Sequence, residues 1–373
     1  MTDNSHSGTT LYVAMELSNK KWMLAFSDGV KVRMRTIPAR DEERFKAEVE
    51  RAKTKLGMSG EVRVLCCYEA GRDGFWIYRW LTSEGYECLV VDPASIEVNR
   101  RARRAKTDRL DAESLVSMLR RYDQGEKRVW SVVHVPSAES EDAMRSGRAL
   151  KRLSQERARH ITRIKSLLVL HGLAFMGSKP ANWKEQLPSM LCRDGQPLPA
   201  NLVLDLEYEL ERLALVEKQI GQMEVMRREA LANPCTETEK KAAKLKMVKG
   251  VGEVSSCTLA NEFFGWRDFK NRREVGGCAG LTPSPYNSGD SRVEQGISKA
   301  GNPRIRAVMI ELSWGWLRYQ PQSALSLWYQ ERYGQGKKRS RRVGIVALAR
   351  KLLIALWRYV EFDIVPEGAV IKA

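Results

Sequence analysis

The chain has 373 residues, with 63 Lys and Arg against 46 Asp and Glu and a formal net charge of +17. That surplus points to a polyanionic partner, and 43% hydrophobic residues suffice for more than one core. No stretch approaches the roughly 18 apolar residues of a membrane span. The polar start MTDNSHSGTT is unlike a signal peptide, so a cytoplasmic protein bound to nucleic acid and to no membrane is expected.

Residues 11–37 read as three strands: LYVAMEL, KWMLAFS and, after an Asp28-Gly29 turn, the alternating VKVRMRTI. ARDEERFKAEVERAKTKLG follows as an amphipathic helix closed by Gly57, EVRVLCCYEA as a buried strand and DGFWIYRWLTSEG as a helix ending at Gly85. YECLVVDP is a further strand. The basic run NRRARRAK, with Arg100, Arg101, Arg103, Arg104 and Lys106, then leads into the helix KTDRLDAESLVSML. Those cations are the expected backbone-binding run, against the alternative of a solvated basic loop. Seven cysteines (66, 67, 88, 192, 235, 257, 278) form no CxxC pair and read as reduced, mostly buried thiols. Zinc is not expected.

The order of three strands, helix, strand, helix, strand, helix is that of the RNase H-like superfold. In that resemblance acids sit on the first strand, at the end of the fourth strand and on a following helix. Glu16, Glu69, Asp108 and Asp111 occupy those slots. On the last helix Asp108, Asp111, Leu115 and Met118 share one stripe, so the acids continue the apolar face. Taken singly, each has a bland reading: a strand-edge charge, or an Asp favoured by the helix dipole beside an N-cap at Thr107. Together they would repel one another without a cation among them, and an all-oxygen set suits Mg²⁺ or Mn²⁺. Two such ions about 4 Å apart serve phosphodiester chemistry.

From about 137 to 232 the pattern changes to long helices. One carries apolar residues at 150, 153, 161, 164, 167 and 168; the other carries Leu206, Leu210, Leu213 and Ile220 at heptad-like spacing. Residues 177–201, with Pro180, Pro188, Pro197 and Pro199, read as the loop between them. This predicts a coiled-coil arm that serves dimerisation, the alternative being a spacer between two domains, with His160 and His171 as helix-face residues. Farther on, Gly250-Val251-Gly252 has the form of a helix-hairpin-helix turn whose backbone N–H groups approach a phosphate; an ordinary interhelical turn is the alternative. Gly280 to Gly301 reads as a polar loop, Asn302 as an N-cap with Pro303 at the first helical position, and RIRAVMIELSWGWLRY as helix. Lys299, Arg304 and Arg306 beside that loop are candidate phosphate contacts. GQGKKRSRR reads as a basic loop before a closing, packed helix.

EAG at 69–71, KTDRLDA at 106–112, GVG at 250–252, AGLTPSPYNSGDS at 279–291 and ISKAGNPRIR at 297–306 make the resemblance specific. The chain resembles the insertion-sequence transposases with a DEDD-type N-terminal domain and a separate serine-bearing domain, described as bridge-RNA-guided recombinases. The resemblance covers nearly the whole chain. It implies an α/β plus all-α fold: an RNase H/RuvC-like DEDD domain over 1–130, a helical coiled-coil arm over 131–240, and a mainly helical transposase domain with helix-hairpin-helix over 241–373. It implies Glu16, Glu69, Asp108 and Asp111 as a catalytic, Mg²⁺- or Mn²⁺-binding quartet and Ser288 as catalytic serine. It further implies donor and target DNA and a structured guide RNA as partners, in a dimer or tetramer bound to the bacterial nucleoid. The family usually places Asp in a GIDVSK-like first strand where this chain has Glu16 in AMELSN.

On its own chemistry NSGDS is an ordinary turn sequence. As a nucleophile Ser288 would need activation by a metal or carboxylate of the N-terminal domain, the two domains building one site, within or across subunits. Ser291 and Ser298 are the next hydroxyls in line. The rivals are a junction-resolving nuclease that hydrolyses DNA with water, and a non-enzymatic nucleic-acid-binding protein descended from a transposase.

Overall fold

The computed structural model describes residues 9–97, 107–173, 183–288 and 291–372. The chain divides into two compact units, Met1–Val135 and Pro136–Ala373.

In the first unit, strands β1 (Thr10–Leu17), β2 (Lys21–Ser27) and β3 (Val32–Pro38) precede helix α1 (Glu42–Lys55). Then come β4 (Arg63–Glu69), α2 (Trp76–Ser83), β5 (Glu87–Val91), a short 3₁₀ turn and α3 (Asp108–Asp123). The sheet order is β3-β2-β1-β4-β5. The first three strands form an antiparallel meander, and β4 and β5 join parallel beside β1. The short turns permit the meander, while the parallel strands need helical crossovers. This mixed five-stranded arrangement is consistent with an RNase H-like DEDD domain.

Because side chains alternate across a strand, the sheet has two distinct apolar faces. Leu11, Val13 and Met15 of β1 and Val64, Cys66 and Tyr68 of β4 join Phe45, Val49, Ile77 and Leu81 of α1 and α2. Tyr12 and Ala14, with Leu65 and Cys67, face Ala112, Leu115, Val116 and Leu119 of α3. Each fully buried Leu or Val of α3 contributes about 1.5–3 kcal/mol by area.

The second unit opens on two long helices, α4 (Ala138–Val169) and α6 (Ala200–Ala232). They pack antiparallel, since α4's start and α6's end both meet the same later element: Asn261 Nδ2 donates to the Ala143 carbonyl, and Leu231 packs on Ala260. Between α4 and α6, α5 (Trp183–Gln186) and a 3₁₀ turn (Leu187–Ser189) occupy part of what reads in the sequence as loop. Trp183 and Leu187 draw it into the core with Leu206, Leu210 and Leu213. One buried charge is fixed between the two helices: Glu209 takes His160 Nδ1 at 2.6 Å, Arg163 at 3.0 Å and Arg212 at 2.7 Å.

The rest is α7 (Glu237–Lys246), α8 (Glu253–Leu259) running into a π turn (Ala260–Phe264), α9 (Arg272–Cys278), β6 (Pro283–Ser288), β7 (Ser291–Ile297), α10 (Pro303–Tyr319), α11 (Ala324–Tyr329) and α12 (Lys338–Phe362). Phe263, Phe264, Ile305, Met309, Trp316, Leu352 and Leu356 centre its core.

Two expectations are corrected here. The segment between Gly280 and Gly301 is a β-hairpin, β6 pairing antiparallel with β7 in register Ser288↔Ser291. Its Pro, Ser and Asn content hid the two strands. GQGKKRSRR is loop only at its start, because α12 begins at Lys338. Lys and Arg are good helix formers, and no breaker follows Gly336 until Gly344.

Candidate active site

The acids are placed by strand ends and a helix start. The last parallel pair of β1 and β4 is Met15↔Tyr68, so the next residue on each strand is an acid: Glu16 and Glu69. Alternation puts both on the face that carries Tyr12, Ala14, Leu65 and Cys67, which is the α3 face. Glu69 closes β4 opposite Val91 of β5. The carboxyl ends of parallel strands are where open α/β sheets place their sites.

Helix α3 runs antiparallel to β1 and β4. Its last residue, Asp123, accepts from the Tyr12 hydroxyl at 2.9 Å and from Arg63 Nη1 at 2.9 Å, both near the strands' starts. Arg120 donates to the Gly29 carbonyl in the turn at that same end. Burial and then the Asp123 hydrogen bond raise the Tyr12 pKa to about 12, so this end is a fixed anchor. From Arg63 to Glu69 the strand advances about 20 Å; from Asp123 back to Asp111 the helix covers about 18 Å, and to Asp108 about 22 Å. Both aspartates therefore reach the level of Glu69. The Thr107 side chain caps the helix by accepting from Leu110 N at 3.3 Å, and the two acids occupy the dipole-favoured first turn. Asp111 is half-buried and Asp108 exposed.

Four carboxylates on one face, at one end, offer the hard oxygen donors that Mg²⁺ or Mn²⁺ takes. Among the described residues no three His, Cys, Asp or Glu side chains already stand close enough to hold a metal. Asp92, at the end of β5, lies at the same edge; its Oδ1 accepts from Ala94 N at 3.0 Å and is spent on that turn.

In the second unit Ser288 ends β6 at the hairpin tip. The hairpin's base is tightly built. Ser298 N donates to the Thr282 carbonyl at 2.8 Å, and Asn302 N to the Cys278 carbonyl at 2.8 Å. A Cβ on Gly280 or Gly301 would collide with backbone. Arg306 Nη1 is held by the Ala279 and Lys299 carbonyls, at 3.2 and 3.1 Å, so that nitrogen serves the hairpin base. Lys299 is exposed with a left-handed backbone, φ 56°. Asn302 caps α10 through Arg304 N and Ile305 N.

Sequence reasoning missed a buried carboxylate here. Glu262, in the π turn, takes Arg148 of α4 through two bonds of 2.7 and 2.8 Å, lies 3.5 Å from Asn302 Nδ2 and 3.8 Å from Arg304 Nε. The only signal was an acid inside the apolar run TLANEFF.

At the GVG turn, Gly250 has φ 90° and Gly252 caps α8. Lys372 Nζ bonds the Val251 carbonyl at 3.0 Å, and Glu253 pairs with Lys246 at 2.9 Å. The run Arg100, Arg101, Arg103, Arg104 and Lys106 lies outside the described residues. All seven cysteines are free, and only Cys66, Cys67 and Cys88 are buried, fewer than expected. Burial raises the Cys88 pKa to about 12 and those of Cys66 and Cys67 well up, leaving unreactive thiols. No helix among the described residues is long and apolar enough to cross a membrane.

Residues 18–172 match the DEDD transposase model of IS110 elements, and residues 242–327 match the transposase IS116/IS110/IS902 family. Glu69, Asp108 and Asp111 fall in the first match, with Glu16 just before its start; Ser288 falls in the second. The protein y4rJ of Sinorhizobium fredii, designated a putative transposase, is 42% identical over 97% of this chain and 94% of its own length. The chain belongs to the IS110/IS116 transposase family. A second Sinorhizobium fredii protein so designated, y4qE, is 30% identical over 69% of this chain and 60% of its own. The transposase of insertion element IS1111A from Coxiella burnetii is 24% identical over 75% and 73%. This family member is thus an enzyme acting on DNA in transposition, and its DEDD domain is of a typically metal-dependent kind.

Proposed function

We propose that this transposase excises and inserts its element by Mg²⁺-dependent strand cleavage and rejoining through a serine–DNA intermediate, guided by a structured RNA. The observation that carries the reading is the placement of Glu16, Glu69, Asp108 and Asp111 at one end of one sheet face, with Ser288 at the tip of a firmly based hairpin. Those four acids would hold Mg²⁺ or Mn²⁺, which when bound neutralises the scissile phosphate and favours departure of the leaving oxygen.

The Ser288 hydroxyl forms one P–O bond as the strand's P–O bond breaks, so the bond energy is kept for rejoining. Its proton needs a base. We assign that role to a carboxylate of the N-terminal domain. Lys299 and Arg304, beside the hairpin, would meet phosphate charge. Sequence choice falls to RNA pairing, leaving the protein backbone and shape recognition, for which its many Lys and Arg are suited.

The chain works as a homo-oligomer joined through α4 and α6. Leu204, Tyr208 and Leu215 of α6 are 45–57% exposed at spacings of four and seven, a stripe fitted to a second copy. In this reading the domains are a DEDD domain over 1–130, a helical arm over 131–240 and a serine-bearing domain over 241–373.

The test is to copurify the protein with its RNA, add donor and target DNA with Mg²⁺, and map any covalent adduct. A DNA-linked peptide containing Ser288, absent in Ser288→Ala and after RNase treatment, is expected. An adduct in Ser288→Ala overturns the assignment; free cleaved ends with no adduct identify the hydrolytic nuclease instead.

A further inference from the structure

From Arg332 to Val360 the chain contains no acid, and nine Lys and Arg fall within those 29 residues. Five of them, Lys337, Lys338, Arg339, Arg341 and Arg342, are packed into six positions at the start of α12, and all five are exposed. None forms an ion pair with an acid among the described residues. A solvated basic face would ordinarily carry compensating Glu at helical spacing; here there is none.

The cluster also works against its own helix. The first turn of α12 contains no acid, and its N-cap, Lys337, makes no capping side-chain bond. Cations in the first turn oppose the macrodipole, whose positive end lies there. A sequence selected for stability alone would place Ser, Thr or Asp at the cap and Glu after it.

The corner that bears these charges is closely packed. A Cβ on Gly344 would meet the Tyr333 ring at 2.5 Å, one on Gly334 would meet Gln330 at 2.6 Å, and one on Gly336 would lie 2.9 Å from Ser340 Oγ. The Tyr329 hydroxyl donates to the Arg341 carbonyl at 3.2 Å. The cations therefore sit on helical backbone packed against its neighbours rather than on a loose tail, which lowers the ordering cost of binding.

We propose that the start of α12, Lys337–Arg342, is a phosphate-backbone site for duplex DNA, built from residues other than those of the hairpin and the acidic quartet. No aromatic residue interrupts the cluster for base stacking, so recognition is of charge and not of sequence. Duplex DNA is the partner because the family acts on it and because it presents about one phosphate charge per 1.7 Å of axis to such a compact array. Relief of the repulsion at the helix start on binding is the drive; lower stability of the free corner is its counterpart.

The experiment compares full-length protein with its Lys337→Gln/Lys338→Gln/Arg339→Gln variant on a short duplex of arbitrary sequence across a salt series, so neither guide RNA nor Ser288 chemistry enters. The slope of log affinity against log salt is expected to shrink by about 2.5–3, near 0.9 for each phosphate that is no longer neutralised. The thermal midpoint of the free variant is expected to hold or to rise by about 1–4 °C, because a conflict with the dipole is removed. The charge-preserving variant Lys338→Arg/Arg339→Lys is expected to retain the full slope. An unchanged slope on DNA, a slope change confined to a stem-loop RNA, or a midpoint that falls with the charges each overturns the proposal.

Discussion

Replacing Glu262 by Gln tests whether α4 is tied to the base of the serine-bearing hairpin. Glu262 is 4% exposed and accepts both Arg148 bonds; Gln keeps the shape and one acceptor oxygen but removes the second acceptor and the charge that compensates the guanidinium. Removing one partner of a buried pair costs about 3–5 kcal/mol, but the Arg148 side chain is 34% exposed and can recover water, which brings the expectation to about 2–3 kcal/mol. For a unit spanning residues 136–373 that corresponds to a midpoint lowered by about 5–10 °C. Urea unfolding of wild type, Glu262→Gln, Arg148→Met and the double variant forms the cycle, with a coupling of about 1–3 kcal/mol expected. A coupling within about 0.5 kcal/mol of zero would refute the reasoning, since the two side chains would then be independent.

Further outcomes follow from the same geometry. Burial raises the Glu209 pKa, but His160, Arg163 and Arg212 outweigh it and leave the value below the ordinary carboxylate range. Its stabilisation is therefore present above the unfolded value of about 4.3 and lost as pH falls through the folded one. The wild-type advantage over Glu209→Gln in urea midpoint should be full at pH 6 and shrink toward pH 3; an advantage independent of pH contradicts this. Asp111→Asn separates the two roles of the first turn of α3: loss of a favourable dipole interaction costs about 0.3–1 kcal/mol of stability, whereas a ligand role removes DNA cleavage by about 100-fold or more. Cleavage within a few-fold of wild type in a gel assay would leave only the dipole role. Gly301→Ala should lower the urea midpoint of the second unit, because φ is 127° and the new methyl falls on the Cys278 carbonyl; an unchanged midpoint would show that the hairpin base yields freely.

Much of the first unit was legible in residue order. The continuous apolar runs LYVAMEL and VLCCYEA marked the strands, and the strand period of two then puts Glu16 and Glu69 on the α3 face. The hairpin at 283–297 was not legible, because Pro283, Pro285 and Gly296 are poor strand formers and the pairing belongs to a two-stranded ribbon. Gly289-Asp290 was the available signal. The start of α12 was hidden for another reason: a run of cations reads as solvated loop, although each is a sound helix former. Glu262 shows a further limit, since its partner Arg148 lies 114 residues away and spacing along one helix cannot reveal it.

The central claim is that Glu16, Glu69, Asp108 and Asp111 together take a divalent cation. Mn²⁺ titration of the full-length protein, followed by electron paramagnetic resonance, reads this without any turnover. Saturable binding that is kept in Ser288→Ala and lost in Glu69→Gln and Asp111→Asn is the result expected. Equal binding in all four proteins, or none in the wild type, would contradict the account.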